Sequence, residues 1–105
     1  MSNNDTLHKL AEILEQRKNA KADESYVASL YESGLEKILA KINEEASETI
    51  EAAREADTEH LIHEVADLWF HCMVLLAQQN LSHENVLEEL NHRFGISGLV
   101  EKAQR

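Results

Sequence analysis

The sequence predicts an all-α protein, an antiparallel bundle of about four to five helices completed by dimerisation. Three observations predict it. Proline is absent and glycine occurs three times in 105 residues, too few turn-formers for a sandwich or a barrel. Apolar residues recur at helical spacing along most of the chain. One periodic segment, residues 59–79, is apolar around nearly its whole circumference. Such a helix is buried, and a chain this small cannot surround it alone, so a partner subunit is expected. There is no repeat, linker or low-complexity tract, and residues 1–105 read as a single domain.

The elements follow in order. Over 6–18, Leu7, Leu10, Ala11 and Leu14 share one stripe, with Asp5 or Thr6 available as cap. "NAKADE" breaks the pattern, and Ser25 can cap a short helix through "YVASLYES". Gly34 suits its left-handed exit. The third helix runs 35–56, its apolar face made by Ile38, Leu39, Ile42, Ala46, Ile50 and Ala53. "ADT" is a turn, with Asp57 or Thr58 capping the fourth helix over 59–79. Ser82 caps a fifth, "HENVLEELNHRF", which Gly95 ends. Residues 96–105 carry no clear pattern.

Composition narrows the function. Net charge is −10, which opposes any sequence-independent grip on nucleic acid. An anionic small molecule remains possible if a metal ion or a local group of Lys and Arg stands between it and the carboxylates. The lone Cys72 fits a reducing compartment. The polar start "MSNNDTLHKL" lacks an apolar signal core, and no stretch reads as a membrane span. A cytoplasmic protein is expected.

"NEEASE" at 43–48 raises the chemical question. The i,i+4 pair Glu44/Glu48 and the i,i+3 pairs Glu45/Glu48 and Glu48/Glu51 repel at roughly 0.2–0.5 kcal/mol each. Only Lys41 and Arg54 lie close enough to offset this. On the helical wheel Glu45 borders the apolar face and Glu48 lies one turn on, whereas Glu44, Glu51 and Glu55 turn toward solvent. A solvated face explains those last three. The fourth helix is different: Glu64, Asp67, His71 and Gln78 form one narrow polar stripe in an apolar segment, with His63 at its edge.

At about 1.5 Å per residue, Glu48 lies roughly 12 Å before the turn and Glu64 roughly 9 Å after it. An antiparallel hairpin therefore sets Glu48 level with Glu64 and Glu45 roughly level with Asp67. Ionised carboxylates near a core are costly unless paired or metal-bound. An all-oxygen site suits Mg²⁺ or Mn²⁺. Among the remaining candidates, His8, His60, His83 and His92 read as surface residues. His71 can touch a substrate or serve as a satisfied inner histidine. Cys72 reads as core, and Trp69 and Met73 as core or interface. There is no Gly-rich phosphate loop and no Cys/His zinc spacing.

Glu44-Glu45-x-x-Glu48 with Glu64-x-x-Asp67 resembles the EExxE…ExxD signature of the all-α, MazG-like nucleoside triphosphate pyrophosphatases. Within that superfamily the chain is similar to the phosphoribosyl-ATP pyrophosphatase family of histidine biosynthesis. The likeness spans nearly the whole chain, through Leu10, Arg17, "SYVASL", Gly34, "KILAK", "ADLWFH", "VLLA" and "LNHRFG". Ala22, Val27 and Asn43 depart from residues common in the family (Pro, Thr and Gly), and none removes a presumed ligand.

The resemblance implies Mg²⁺-dependent hydrolysis of the α–β phosphate linkage, with Glu44, Glu45, Glu48, Glu64 and Asp67 as ligands. It counts Glu44 among them, although the wheel turns that residue outward. Arg17, Lys37, Lys41 and Arg93 become candidates for phosphate contacts, and Ser25, Tyr26 and His71 for the substrate pocket. A homodimer or a larger assembly is implied. Two other readings stay open: a housekeeping pyrophosphatase acting on dUTP- or dCTP-type nucleotides, and a non-catalytic acidic helical dimerisation module. The "SYVASL…G" stretch with Lys37 and Lys41 favours the first reading over the second, and the acidic stripe on helix four speaks against the third.

Overall fold

A computed structural model describes residues 3–94. A 3-10 turn, Asn3–Asp5, leads into α1 (Thr6–Gln16), and a second, Arg17–Asn19, follows it. Then come α2 (Tyr26–Ser33), α3 (Leu35–Arg54), α4 (Thr58–Gln78) and α5 (His83–Arg93). The described residues are all-α, as expected. The expected stop at Gly95 and the residues after it lie outside the described residues.

Local signals account for most boundaries. Ser25 Oγ accepts the Ala28 N–H at 3.2 Å and starts α2. Gly34, at φ 94°, lies between α2 and α3 in a conformation that side chains disfavour. Asp57 Oδ1 accepts the His60 N–H at 3.1 Å and starts α4. Ser82 and Asn85 cap α5 reciprocally, Ser82 Oγ accepting from Glu84 and Asn85 Oδ1 from the Ser82 N–H.

Three boundary details differ from the sequence reading. Asp5 makes no side-chain cap, because the chain enters α1 through a 3-10 turn already in helical conformation. The last turn of α1 tightens to 3-10 at Arg17. α3 stops at Arg54, two residues short of the expected end, because Ala56 turns left-handed at φ 58°. That conformation costs a non-glycine residue about 1–2 kcal/mol.

α3 and α4 form an antiparallel hairpin with the most extensive contact in the fold. α1 and α2 cover its open end, where Leu14, Leu30, Ile38 and Val74 are fully buried together with Val27, Met73 and Ala77. Each large side chain so placed contributes about 1.5–3 kcal/mol. The end near the turn lacks this cover: Ile62 on α4 is 64% exposed and Ile50 on α3 is 52% exposed. Trp69, midway along α4, is 60% exposed. An apolar groove runs between α4 and α5, lined by Trp69, Met73, Leu76, Val86, Leu87 and Leu90 among others. Within one chain, α4 is therefore not buried all round. His83 corrects the sequence reading in the other direction. It is buried, because α5 folds back on α1 and turns its first residue inward. Among the described residues no helix is long and apolar enough to cross a membrane.

Candidate metal and nucleotide site

The α3–α4 hairpin brings three of the predicted carboxylates together. Glu45, Glu48 and Glu64 each offer an oxygen within 4.8 Å of the others. The predicted register, Glu48 level with Glu64, is the one found. Glu45 is 6% exposed and Glu64 likewise, while Glu48 is half-buried at the edge. Glu45 Oε2 and Glu64 Oε2 are shielded from solvent and have no hydrogen-bond partner. Two orphaned carboxylate oxygens on one side of a hairpin fit a hard dication, which would supply the missing partner. Glu45, Glu48 and Glu64 would hold it.

The cluster shares protons. Burial, then the neighbouring Glu48 and Glu64, push the Glu45 carboxyl up to about 7. A hydrogen bond with Glu64 raises Glu48, and that same bond is the chief cause lowering Glu64. The negative charge thus settles on Glu64, whose Oε1 also lies 3.2 Å from His60 Nε2.

Asp67 sits next to the cluster rather than in it. Its Oδ2 lies 3.3 Å from His63 Nε2, one turn back on the same helix. It is still near enough to Glu45 to raise that carboxyl, and it forms a second group with His63 and Glu64. Glu44 does not join. Its Oε2 accepts from Lys41 Nζ at 3.1 Å, as its outward position on the wheel predicts.

Of the substrate candidates, Tyr26, Lys41 and His71 come to the rim. His71 is buried, its Nδ1 2.9 Å from the Asp67 carbonyl and its Nε2 2.9 Å from Tyr26 Oη. A carbonyl only accepts, so Nδ1 carries the proton and, in the neutral ring, Nε2 accepts the Tyr26 hydroxyl. Both nitrogens are satisfied, which matches the inner-histidine reading and leaves Tyr26, half exposed, to face outward. Lys41 is held protonated by its hydrogen bond to Glu44, with Tyr26 and Glu45 nearby. Ser25 is occupied as the α2 cap. Arg17 and Lys37 are exposed, and among the described residues no ion pair links them to the carboxylates. Arg93 pairs with Glu89 on its own helix at 3.3 Å. Sequence reading set His63 at the edge of the acidic stripe but took His60 for a surface residue and missed it as a neighbour of the cluster, although its i,i+4 spacing to Glu64 was the available signal.

Among the described residues, five helices and a half-inward carboxylate cluster on one hairpin define an all-α protein with an acidic, cation-suited site. The family model described as phosphoribosyl-ATP pyrophosphohydrolase matches residues 7–94. Relatives named phosphoribosyl-ATP pyrophosphatase are similar over nearly the full length. That of Methylococcus capsulatus is 60% identical over 101 residues, 96% of each chain. That of Ruthia magnifica is 53% identical over 102 residues, 97% of each chain. That of Vesicomyosocius okutanii is 54% identical over 99 residues, 94% of each chain. The chain belongs to the phosphoribosyl-ATP pyrophosphohydrolase family.

Proposed function

We infer that the chain hydrolyses phosphoribosyl-ATP to phosphoribosyl-AMP and pyrophosphate, a step of histidine biosynthesis, with Mg²⁺ or Mn²⁺ as cofactor. The observation that carries the reading is the pair of shielded, partnerless oxygens on Glu45 and Glu64 beside Glu48, in a chain of this family. A dication held there supplies Lewis-acid neutralisation of the polyphosphate and of the leaving pyrophosphate.

The protein's own residues do the rest. Glu45 and Glu64 fix the electrostatic centre of the site from opposite helices. Glu48, the only member of the trio that is not buried, accepts a hydrogen bond from the attacking water and receives its proton. Asp67 completes the acidic wall next to Glu45. Lys41 faces the phosphates as the nearest cation, and Tyr26, anchored by His71, lines the wall opposite. Lys37 lies one turn before Lys41 on α3 and extends the same cationic edge. Arg17 and Arg93 are the cations this reading assigns to the second, remote phosphate that distinguishes phosphoribosyl-ATP from ATP.

The site is completed by a second copy of the chain. Trp69, Ile62 and Ile50 leave large apolar surface exposed on the hairpin, and a partner hairpin would cover it. A cytoplasmic location accords with the single free cysteine.

The test is pyrophosphate release from phosphoribosyl-ATP, ATP, dUTP and dCTP at equal Mg²⁺. Phosphoribosyl-ATP is expected to be turned over far faster than the rest. Equal or faster release from dUTP or dCTP would replace this reading with the housekeeping one.

A further inference from the structure

We propose that His8, His83 and Glu84 form a second metal site, suited to a borderline dication such as Zn²⁺ and separate from the acidic cluster. One ring nitrogen of each histidine and one Glu84 oxygen lie within 4.8 Å of one another. His8 comes from α1 and the other two from the first turn of α5, elements that contribute nothing to the Glu45–Glu48–Glu64 cluster.

The observation that points to a ligand is His83. It is 8% exposed, and its Nδ1 is shielded from solvent with no hydrogen-bond partner. A buried polar atom left unpaired costs about 1–3 kcal/mol. A cation between the two histidines is a partner for this ring that the apolar groove behind it, lined by Leu7, Met73 and Leu87, does not offer.

The geometry around His8 is that of a prepared ligand. Its Nε2 lies 2.8 Å from Glu12 Oε1, and its Nδ1 lies 3.9 Å from Glu84 Oε1. The Glu12 carboxylate stands against Nε2 and leaves the Nδ1 edge of the ring on the Glu84 side. Metal-binding histidines are commonly oriented in this way, with the second nitrogen donating to a carboxylate. The second contact is too long for a hydrogen bond. Two donors about 2.1 Å from one tetrahedral zinc stand roughly 3.4 Å apart. Closing the gap takes about half an ångström of movement by two exposed side chains.

Charge and donor type agree with this. Two neutral imidazoles with Glu12 and Glu84 carry two negative charges, enough to neutralise a dication. Nitrogen donors favour Zn²⁺ over Mg²⁺, whereas the all-oxygen cluster on the hairpin favours Mg²⁺. Three protein donors leave one tetrahedral position to water. An ion here would tie α1 to the start of α5.

The experiment is a Zn²⁺ titration of the full chain against a chromophoric chelator, in excess Mg²⁺ so that the acidic cluster holds the hard ion. The variants are His8→Ala, whose side chain is exposed and whose helicity is checked by circular dichroism, and Glu48→Gln. One Zn²⁺ per chain is expected in the wild type, bound at least tenfold more weakly by His8→Ala and within twofold of wild type by Glu48→Gln. Zn²⁺ should also shift the His8 and His83 ring resonances in the NMR spectrum. Zn²⁺ affinity unchanged in His8→Ala overturns the proposal. So does binding that excess Mg²⁺ or Glu48→Gln removes, which would place the ion in the acidic cluster alone.

Discussion

Tyr26 Oη lies 2.9 Å from His71 Nε2 and ties the start of α2 to the middle of α4, directly beside the acidic cluster. His71 Nδ1 is 4.0 Å from Glu45 Oε1 and bonds instead to the Asp67 carbonyl. A ring held at both nitrogens cannot rotate, so Tyr26 is set against a fixed post. Tyr26→Phe removes one hydrogen bond and leaves a buried acceptor unpaired. The expected cost is about 1 kcal/mol of stability. A KM raised roughly fivefold, the same energy expressed as binding, should accompany a smaller change in kcat. Urea unfolding and steady-state kinetics check both.

The carboxylates separate by geometry. Glu48→Ala and Asp67→Asn should each lower turnover by at least about a hundredfold while leaving the helical spectrum intact, since each removes negative charge that would hold the dication neutralising the phosphates. The metal-free protein should tolerate either change, because its carboxylates repel one another. Glu44→Gln should cost less than about tenfold, because Glu44 is engaged with Lys41 and lies outside the trio. Turnover in saturating Mg²⁺ decides. Near-normal activity of Glu48→Ala would refute the ligand assignment.

The raised Glu45 carboxyl makes stability depend on pH, and the sign is fixed. Folded Glu45 keeps its proton up to about 7, whereas the unfolded chain releases it near 4.5. Between those values the folded state binds more protons, so the stability of the metal-free chain falls as pH rises through that window and levels off above it. Glu64, lowered, acts oppositely: its contribution is present above 4.5 and is lost as pH falls below that. Mg²⁺ replaces the shared protons, so its affinity should climb over the window in which Glu45 ionises. Melting temperatures from pH 5 to 7.5, with and without Mg²⁺, test this against Glu45→Gln. The variant should lose the part of the slope that Mg²⁺ removes in the wild type.

What the sequence showed and what it hid divide along physical lines. Ser25, Asp57 and Ser82 were readable as caps because a cap is made within three residues of itself. Glu48 and Glu64 were readable as neighbours because a hairpin with a short turn fixes register by counting. The position of the Asp67 carboxylate was not, since a rotamer toward His63 on its own helix competes with the one toward Glu45. Nor was the burial of His83, which depends on how α5 folds back over α1. The outward-facing Glu44 was legible from the wheel, in tension with the family pattern that counts it as a ligand.

Trp69, 60% exposed on α4, stands at the rim of the groove formed with α5. Ile62, about two turns nearer the α3–α4 turn on the same face of the helix, is 64% exposed. Burying a large apolar side chain contributes about 1.5–3 kcal/mol, so a symmetric contact counts each residue twice. Placing one carboxylate per subunit in that contact removes the apolar gain and sets like charges together in a chain already at −10. Trp69→Glu should therefore give an 11.9 kDa monomer by light scattering at micromolar concentration, where the wild type runs as a dimer or larger. Its pyrophosphate release should fall with the dimer fraction, and should recover at protein concentrations that restore association. A wild type that is itself monomeric at those concentrations would show that α4 leaves its apolar face to solvent, and that the site is complete within one chain.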